Sequence, residues 1–248
     1  MAHPELTTDA YLAVIHREVA SLATCWGSGS DLAVPSCPGW DLRALIRHVG
    51  IVHRWVERIV RTRAQQRVPL DEIPRPSEDA DMAAWLLEGA DGLLDAFGGV
   101  ELDMPMWNWS GVRQVAGFWP RRMAHETAVH RWDGENAVGE AAPVEPEDLA
   151  VDGISEIVEA WLPSWAADNP TADLGGCIEL VSREPRRSWT FAIRAGYVVL
   201  DDGSPDARAE GAPSDLLLFA FGRLDADVVA VQGDTALLER WRSCGWSQ

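Results

Sequence analysis

The stretch Met123-Ala124-His125-Glu126-Thr127-Ala128-Val129-His130-Arg131-Trp132-Asp133 decides how the rest of the chain is read. Glu126 and His130 stand four residues apart, so on a helix they lie on one face, one turn above the other. A carboxylate and a neutral imidazole converging from one face make half of a first-row metal site. Alone the spacing is common, and its bland reading is a surface Glu–His pair worth a few tenths of a kcal/mol. Here alanines and Val129 surround the pair, so its face is apolar and a charge on it calls for a partner. The candidate third donor is His48, in Asp41-Leu42-Arg43-Ala44-Leu45-Ile46-Arg47-His48. Two histidines and a glutamate leave at least one coordination position open, as catalytic sites do.

Two other histidines compete for that role. His53 follows His48 by five positions, which turns it about 140° around the helix. His125 is similarly rotated from His130. Neither shares the proposed face. Arg131 and Asp133 follow His130 closely; Asp133 could hold an imidazole, and Arg131 could pair a substrate carboxylate. Ordinary surface charge is the alternative for both.

The first half of the chain reads as helices. Thr8 to Ala23 places Leu12, Ile15, Val19 and Leu22 three and four apart. Asp41, after Pro38-Gly39-Trp40, is an expected N-cap for a second helix running to about Arg67, with Leu45, His48, Val52, Trp55 and Ile59 as its inward stripe. Asp79 to Phe97 makes a third helix, and Gly98-Gly99 stops it. Arg113 to about Asn136 makes a fourth, kinked or started near Pro120. Four helices with one long connection suggest a bundle, a common setting for inward-facing metal ligands. A linker near Gly139 to Pro146 divides a domain of residues 1–140 from one of residues 147–248. Glu147 to Ala167 reads as a helix, and Cys177–Ser182, Ser188–Ile193, Tyr197–Leu200 and Val228–Val231 as strands. Short helices are expected over Asp215–Phe221 and from Gly233-Asp234 through Trp241. The expected fold class is therefore α+β, a four-helix bundle followed by a smaller α+β domain.

Composition excludes several function classes. A net charge of −18 provides no general basic field for nucleic acid. Every basic residue is Arg, so a Schiff-base lysine and the usual anchor for pyridoxal phosphate are absent. There is no dinucleotide glycine fingerprint, Walker loop or nucleophile elbow. His125-Glu126 is followed by His130 one residue too late for the thermolysin pattern. No apolar run spans a bilayer and no signal pattern opens the chain, so a cytoplasmic location is expected. Cys25, Cys37, Cys177 and Cys244 are widely spaced and read as free thiols. Cys37 stands at a helix entrance, where a thiolate could be stabilised, although a structural turn residue is the plainer reading. Among the 13 Trp, Trp107, Trp109 and Trp119 could wall a pocket or simply pack the core.

At three places the chain resembles the mycothiol-dependent maleylpyruvate isomerase family, whose N-terminal part is a DinB-like metal-binding four-helix bundle. Pro38-Gly39-Trp40-Asp41 leading into Leu45-Ile46-Arg47-His48 looks like the family's helix entrance and first His ligand. His125 to Asp133 looks like its second metal motif. Ser214-Asp215-Leu216-Leu217-Leu218-Phe219-Ala220-Phe221-Gly222-Arg223, then Gly233-Asp234 and Leu237-Leu238-Glu239-Arg240-Trp241, resembles its C-terminal domain. The resemblance implies Zn²⁺ on His48, Glu126 and His130, with mycothiol, a small thiol of actinobacteria, at the open position. It further implies a functional arginine in the C-terminal domain, taken as Arg223 with Arg208, Arg240 and Arg242 as alternatives. The implied reaction is isomerisation or S-transfer on a small electrophilic substrate. A non-catalytic small-molecule-binding protein and a thiol-independent metal hydrolase are the competing readings.

Overall fold

The computed structural model describes residues 6–200 and 203–245. The chain divides into two compact units, Met1–Ala142 and Pro143–Gln248. In the first, helix α1 spans Thr8–Cys25, α2 Leu42–Thr62, α3 Met82–Gly98 and α4 Phe118–Val138. Three of them start at a side-chain cap: Thr7 accepts from the Ala10 N–H, Asp41 from Ala44, and Asp81 from Ala83 and Ala84. α1 packs mainly against α3 and α4, and α2 likewise, with a smaller contact between α1 and α2. That arrangement is a four-helix bundle. Its core joins Val19 and Leu22 of α1 to Leu42, Leu45, Ile46 and Val49 of α2 and Met82 and Leu86 of α3.

α2 ends at Thr62, earlier than its composition suggests, because Arg63 turns left-handed at φ 50° and the helix cannot continue through it. α4 starts at Phe118, so Pro120 falls in the first turn, where its missing N–H costs nothing. Gly139, at φ 80°, closes α4 in the left-handed conformation that glycine adopts without strain. Gly134 marks the close approach of α4 to α1: a Cβ there would stand 2.6 Å from Leu22 Cδ1.

In the second unit α5 spans Glu147–Glu156 and α6 Leu162–Asp168, joined by a π turn over Ile157–Trp161. The sequence reads this stretch as one helix. Pro163 has no N–H to return to Glu159, and the widened turn before it accommodates the missing bond. Strands β1 Cys177–Ser182, β2 Arg187–Arg194, β3 Tyr197–Leu200, β4 Ala207–Gly211 and β5 Ala230–Gly233 form one sheet in the order β3-β2-β1-β4-β5. β1 pairs with β4 in parallel, Ile178 opposite Ala207 and Leu180 opposite Ala209, while the other pairings are antiparallel. β4 is absent from the sequence reading: Ala, Arg, Glu and Gly are poor strand formers. It forms because Ala207 and Ala209 bury on one face while Arg208 on the other bonds Glu179 of β1 and Glu210. Helices α7 (Pro213–Ala220) and α8 (Thr235–Arg242) pack on the sheet, and Trp241 of α8 meets Phe191 of β2 edge-on at 5.4 Å. The expected α+β class is the one observed. Among the described residues no helix is long and apolar enough to cross a membrane.

Candidate metal centre

α4 is an unusual helix. Every residue from Arg122 to Gly134 except Glu126 is buried, and that stretch carries Arg122, His125, His130, Arg131 and Asp133. A helix burying so many polar groups must give each a specific partner. Glu126 and His130 do lie one turn apart on the same face, with His130 Nε2 3.3 Å from Glu126 Oε1. His48 reaches the same oxygen from α2, its Nε2 3.1 Å away. The three donor atoms all lie within 4.8 Å of one another. A tetrahedral cation with bonds of 2.0–2.1 Å spaces its donors by about 3.3 Å, so these separations suit one. Oxygen and two imidazole nitrogens are also the donor chemistry such a divalent cation takes.

The surroundings orient the three. Arg122, one turn before Glu126, donates to Glu126 Oε2 and leaves Oε1 facing the histidines. Asp133 Oδ2 accepts from His130 Nδ1 at 2.8 Å, which puts the proton on Nδ1 and turns Nε2 toward Glu126. Trp40 lies over both imidazoles, its ring 4.9 Å from His48 and stacked at 6.2 Å and 24° on His130. Exposure rises across the set, from 9 % at His130 through 14 % at Glu126 to 36 % at His48. The centre is thus open on the His48 side.

Charge follows from this packing. Burial alone would raise the Glu126 carboxyl, but His130, His48 and Arg122 outweigh it and hold the group well below its usual range. Burial would likewise lower His130, and the Glu126 charge together with Asp133 and Cys37 pushes it well above 6.5 instead. Without a cation His130 therefore holds a proton that a metal ion would displace.

A second group of donors, Cys37, His130 and Asp133, adjoins the first through the other ring nitrogen of His130. Asp133 is fully buried there, and its contacts of 2.8 Å to His130 Nδ1 and 3.4 Å to Cys37 Sγ hold the histidine from behind while Nε2 faces Glu126 and the open side at His48.

His48 sits differently from the sequence expectation. Val52 and Trp55 of its predicted stripe are only half-buried, and the buried line runs through Leu45, Ile46, Val49, His53, Val56 and Ile59. His48 stands at the rim of that face, and His53 is the core histidine. Thr127 Oγ1 donates to the Met123 carbonyl at 2.7 Å and accepts from His53 Nε2 at 2.9 Å. Burial pushes His53 down to about 4, only partly offset by the Glu126 charge. His125 is turned away as its spacing requires, with its ring edge-on to Tyr11 at 6.2 Å. Arg131 is buried between Glu18 Oε2 and Glu135 Oε2, both 2.6 Å away, and donates to the Ala142 carbonyl, so its guanidinium is engaged within the bundle. Trp107 and Trp119 pack edgewise on Trp55, at 5.8 and 5.5 Å; Trp119 is fully buried and the other two are half-buried. Trp109 packs on Phe118.

In the second unit Arg223 follows α7, half-buried, its Nη1 donating to the Phe221 carbonyl at 2.9 Å and its guanidinium 5.9 Å from the Phe221 ring. Arg208 is engaged by two glutamates, and Arg242 donates to the carbonyls of Phe219 and Leu224. Arg240 reaches the Leu174 carbonyl. The sequence reading passed over Arg122, whose four-residue spacing from Glu126 is a usable signal. It also passed over Trp40 as a wall of the centre, which no local pattern announces.

No curated protein matches the chain. Two solved structures share its fold at 14 % identity: a crystal structure of the mycothiol-dependent maleylpyruvate isomerase (TM-score 0.62, covering 94 % of this chain and 96 % of that one) and one of its histidine-to-alanine mutant (TM-score 0.59, 92 % and 94 %). The family model described as the mycothiol maleylpyruvate isomerase N-terminal domain matches residues 12–135, half of the chain, a span that contains His48, Glu126 and His130. On that match the chain belongs to the mycothiol maleylpyruvate isomerase family.

Proposed function

We propose that this protein is a mycothiol-using zinc enzyme, an isomerase or S-transferase acting on a small electrophilic substrate. The observation that carries the reading is the convergence of His48 Nε2, Glu126 Oε1 and His130 Nε2 at spacings that suit one tetrahedral cation. The family match and the name of the structural neighbours support the thiol and the reaction class. When bound, the cation and the thiol would supply a nucleophilic sulfur at neutral pH, released again in an isomerisation and retained in an S-transfer.

The chain's own residues do the rest. Arg122 holds the Glu126 carboxylate in one orientation, and Asp133 holds the proton of His130 on Nδ1. Trp40 flanks both imidazoles and limits how their rings can turn. The half-exposed side at His48 is the approach for ligands. We assign the bundle of residues 1–140 to metal binding and residues 147–248 to the family's C-terminal domain. There Arg223 is our choice for the group that holds a substrate carboxylate or a developing enolate.

The test is elemental analysis followed by turnover. About one zinc per chain is expected, lost in His48→Ala and in Glu126→Ala, with consumption of an electrophile only when mycothiol is present. Metal loss with no effect on turnover would sink the assignment. Turnover without thiol would replace it with a metal hydrolase, and saturable ligand binding without turnover with a binding protein.

A further inference from the structure

The turn that leads into α2 touches the centre at a point the ligand set does not explain. Cys37 Sγ lies 3.4 Å from Asp133 Oδ2, the same oxygen that accepts from His130 Nδ1. Asp133 is fully buried, so its carboxylate depends on donors supplied by the protein. Two of them meet on this one oxygen, an imidazole N–H and a thiol S–H. An acceptor shared in this way is held in direction by both donors.

The thiol is itself held. The Cys37 N–H donates to the Val34 carbonyl and its carbonyl accepts from Trp40, both at 3.0 Å, while the Val34 N–H donates to the Trp40 carbonyl at 2.9 Å. Ala33 bridges to Asp41, and Asp41 caps α2, the helix that carries His48. The same turn lays the Trp40 ring over His130. One tight segment thus ties the start of α2 to the back and to the face of a histidine on α4.

We propose that Cys37 is a positioning residue for His130: its thiol, bonded to Asp133, helps aim His130 Nε2 into the metal centre, so that metal affinity depends on a side chain that never touches the metal. The proposal rests on His48, Glu126 and His130 being the ligands. Loss of a group that orients a ligating histidine typically weakens metal binding about 10- to 100-fold. A thiol is a weak donor, so the effect belongs at the lower end of that range.

Cys37→Ala removes the donor, Cys37→Val removes it while keeping bulk, and Cys37→Ser restores an O–H. Zinc affinity of the full chain is measured by competition with a chromophoric chelator, and thermal unfolding of each variant is measured in excess chelator. Expected are an affinity about tenfold weaker in the Ala and Val variants and within about threefold of wild type in the Ser variant, with metal-free unfolding temperatures that do not follow the same order. Unchanged affinity in Ala and Val overturns the proposal and leaves the ligand assignment standing. A loss that serine does not rescue, and that parallels a fall in metal-free stability, makes Cys37 a packing residue and also overturns it. Wild-type protein without saturable zinc binding, or His48→Ala binding as tightly as wild type, overturns the ligand assignment and this proposal with it.

Discussion

The two helices that supply the donors are built in opposite ways. α2 has a conventional division: Leu42, Leu45, Ile46, Val49, Val56 and Ile59 are buried, Arg47 and Arg58 are exposed, and His48 lies on the border between them. α4 has no solvent face between Arg122 and Gly134 apart from Glu126, and its buried charges share partners: Glu126 with Arg122 and His130, His130 also with Asp133, and Arg131 with Glu18 of α1 and Glu135. The apolar pattern holds α2 in place and leaves its rim free for chemistry. On α4 the groups that fold the bundle and the groups that shape the centre are neighbours in one network. Substitutions should therefore disturb stability and site together on α4 and separately on α2.

The largest effect is expected where no donor is touched. Arg131 and Glu18 are 5 % and 4 % exposed and 2.6 Å apart. Glu18 keeps Arg17 on its other oxygen and Arg131 keeps Glu135, so removing one partner weakens the pairing of a buried charge without stranding it, at a cost of about 3 kcal/mol, the lower end for a broken buried pair. Arg131→Ala should lower the unfolding free energy by that amount in a urea titration, with Arg131→Ala/Glu18→Ala losing less than the two single changes added. A loss below about 1 kcal/mol in the single variant would mean that α4 is not held by its ion pairs.

Next in size is a pH effect that separates two buried histidines. In the unfolded chain His53 takes a proton near 6.5, but in the fold burial holds it down to about 4. Protons then bind the unfolded state more readily, so stability is complete above about pH 6.5 and falls as pH drops toward 4, by on the order of 3 kcal/mol. The difference in unfolding free energy between wild type and His53→Gln should shrink over that window. His130 has the opposite sign. Its folded value is raised by Glu126 and Asp133 against the pull of burial, so its contribution is present below 6.5 and is lost as pH rises through the raised value. A wild-type pH profile identical to that of His53→Gln would show that Thr127 and the core around it do not keep this ring neutral.

The same contrast decides what could be read from the sequence. Capping residues announced the start of α2, and the spacing of Glu126 and His130, with His48 on an apolar helix, pointed to the side chains that the fold brings together. The end of α2 was unreadable because Arg63 adopts a left-handed conformation that its residue type does not signal. β4 was unreadable because its Ala and Gly residues have little strand preference, and its pairing with β1 is supplied by tertiary contact. Neither reading of Arg131, substrate partner or surface charge, anticipated a buried ion pair, because its partner Glu18 lies 113 residues away on α1 and only the surrounding helices make Arg131 interior. The Cys37–Asp133 contact joins residues 96 apart in the chain, a distance over which no periodicity carries information.

The smallest expected effect belongs to His48, on the border of α2. His48 is 36 % exposed, and its hydrogen bond is to a carboxylate that Arg122 and His130 also serve. Truncating it leaves Glu126 partnered and opens no core cavity, so His48→Ala should cost less than about 1 kcal/mol in metal-free protein. Zinc should then tell the two proteins apart. Free metal at 100 times the dissociation constant stabilises a folded protein that binds it by about 2.7 kcal/mol, and a variant that has lost a ligand gains far less at that concentration. Thermal unfolding of wild type and His48→Ala, each with chelator and with zinc, should give nearly equal temperatures in chelator and a clear rise with zinc in wild type alone. A metal-free loss above about 2 kcal/mol would place His48 inside the structural network, and a loss of activity on its substitution could then no longer be assigned to the metal.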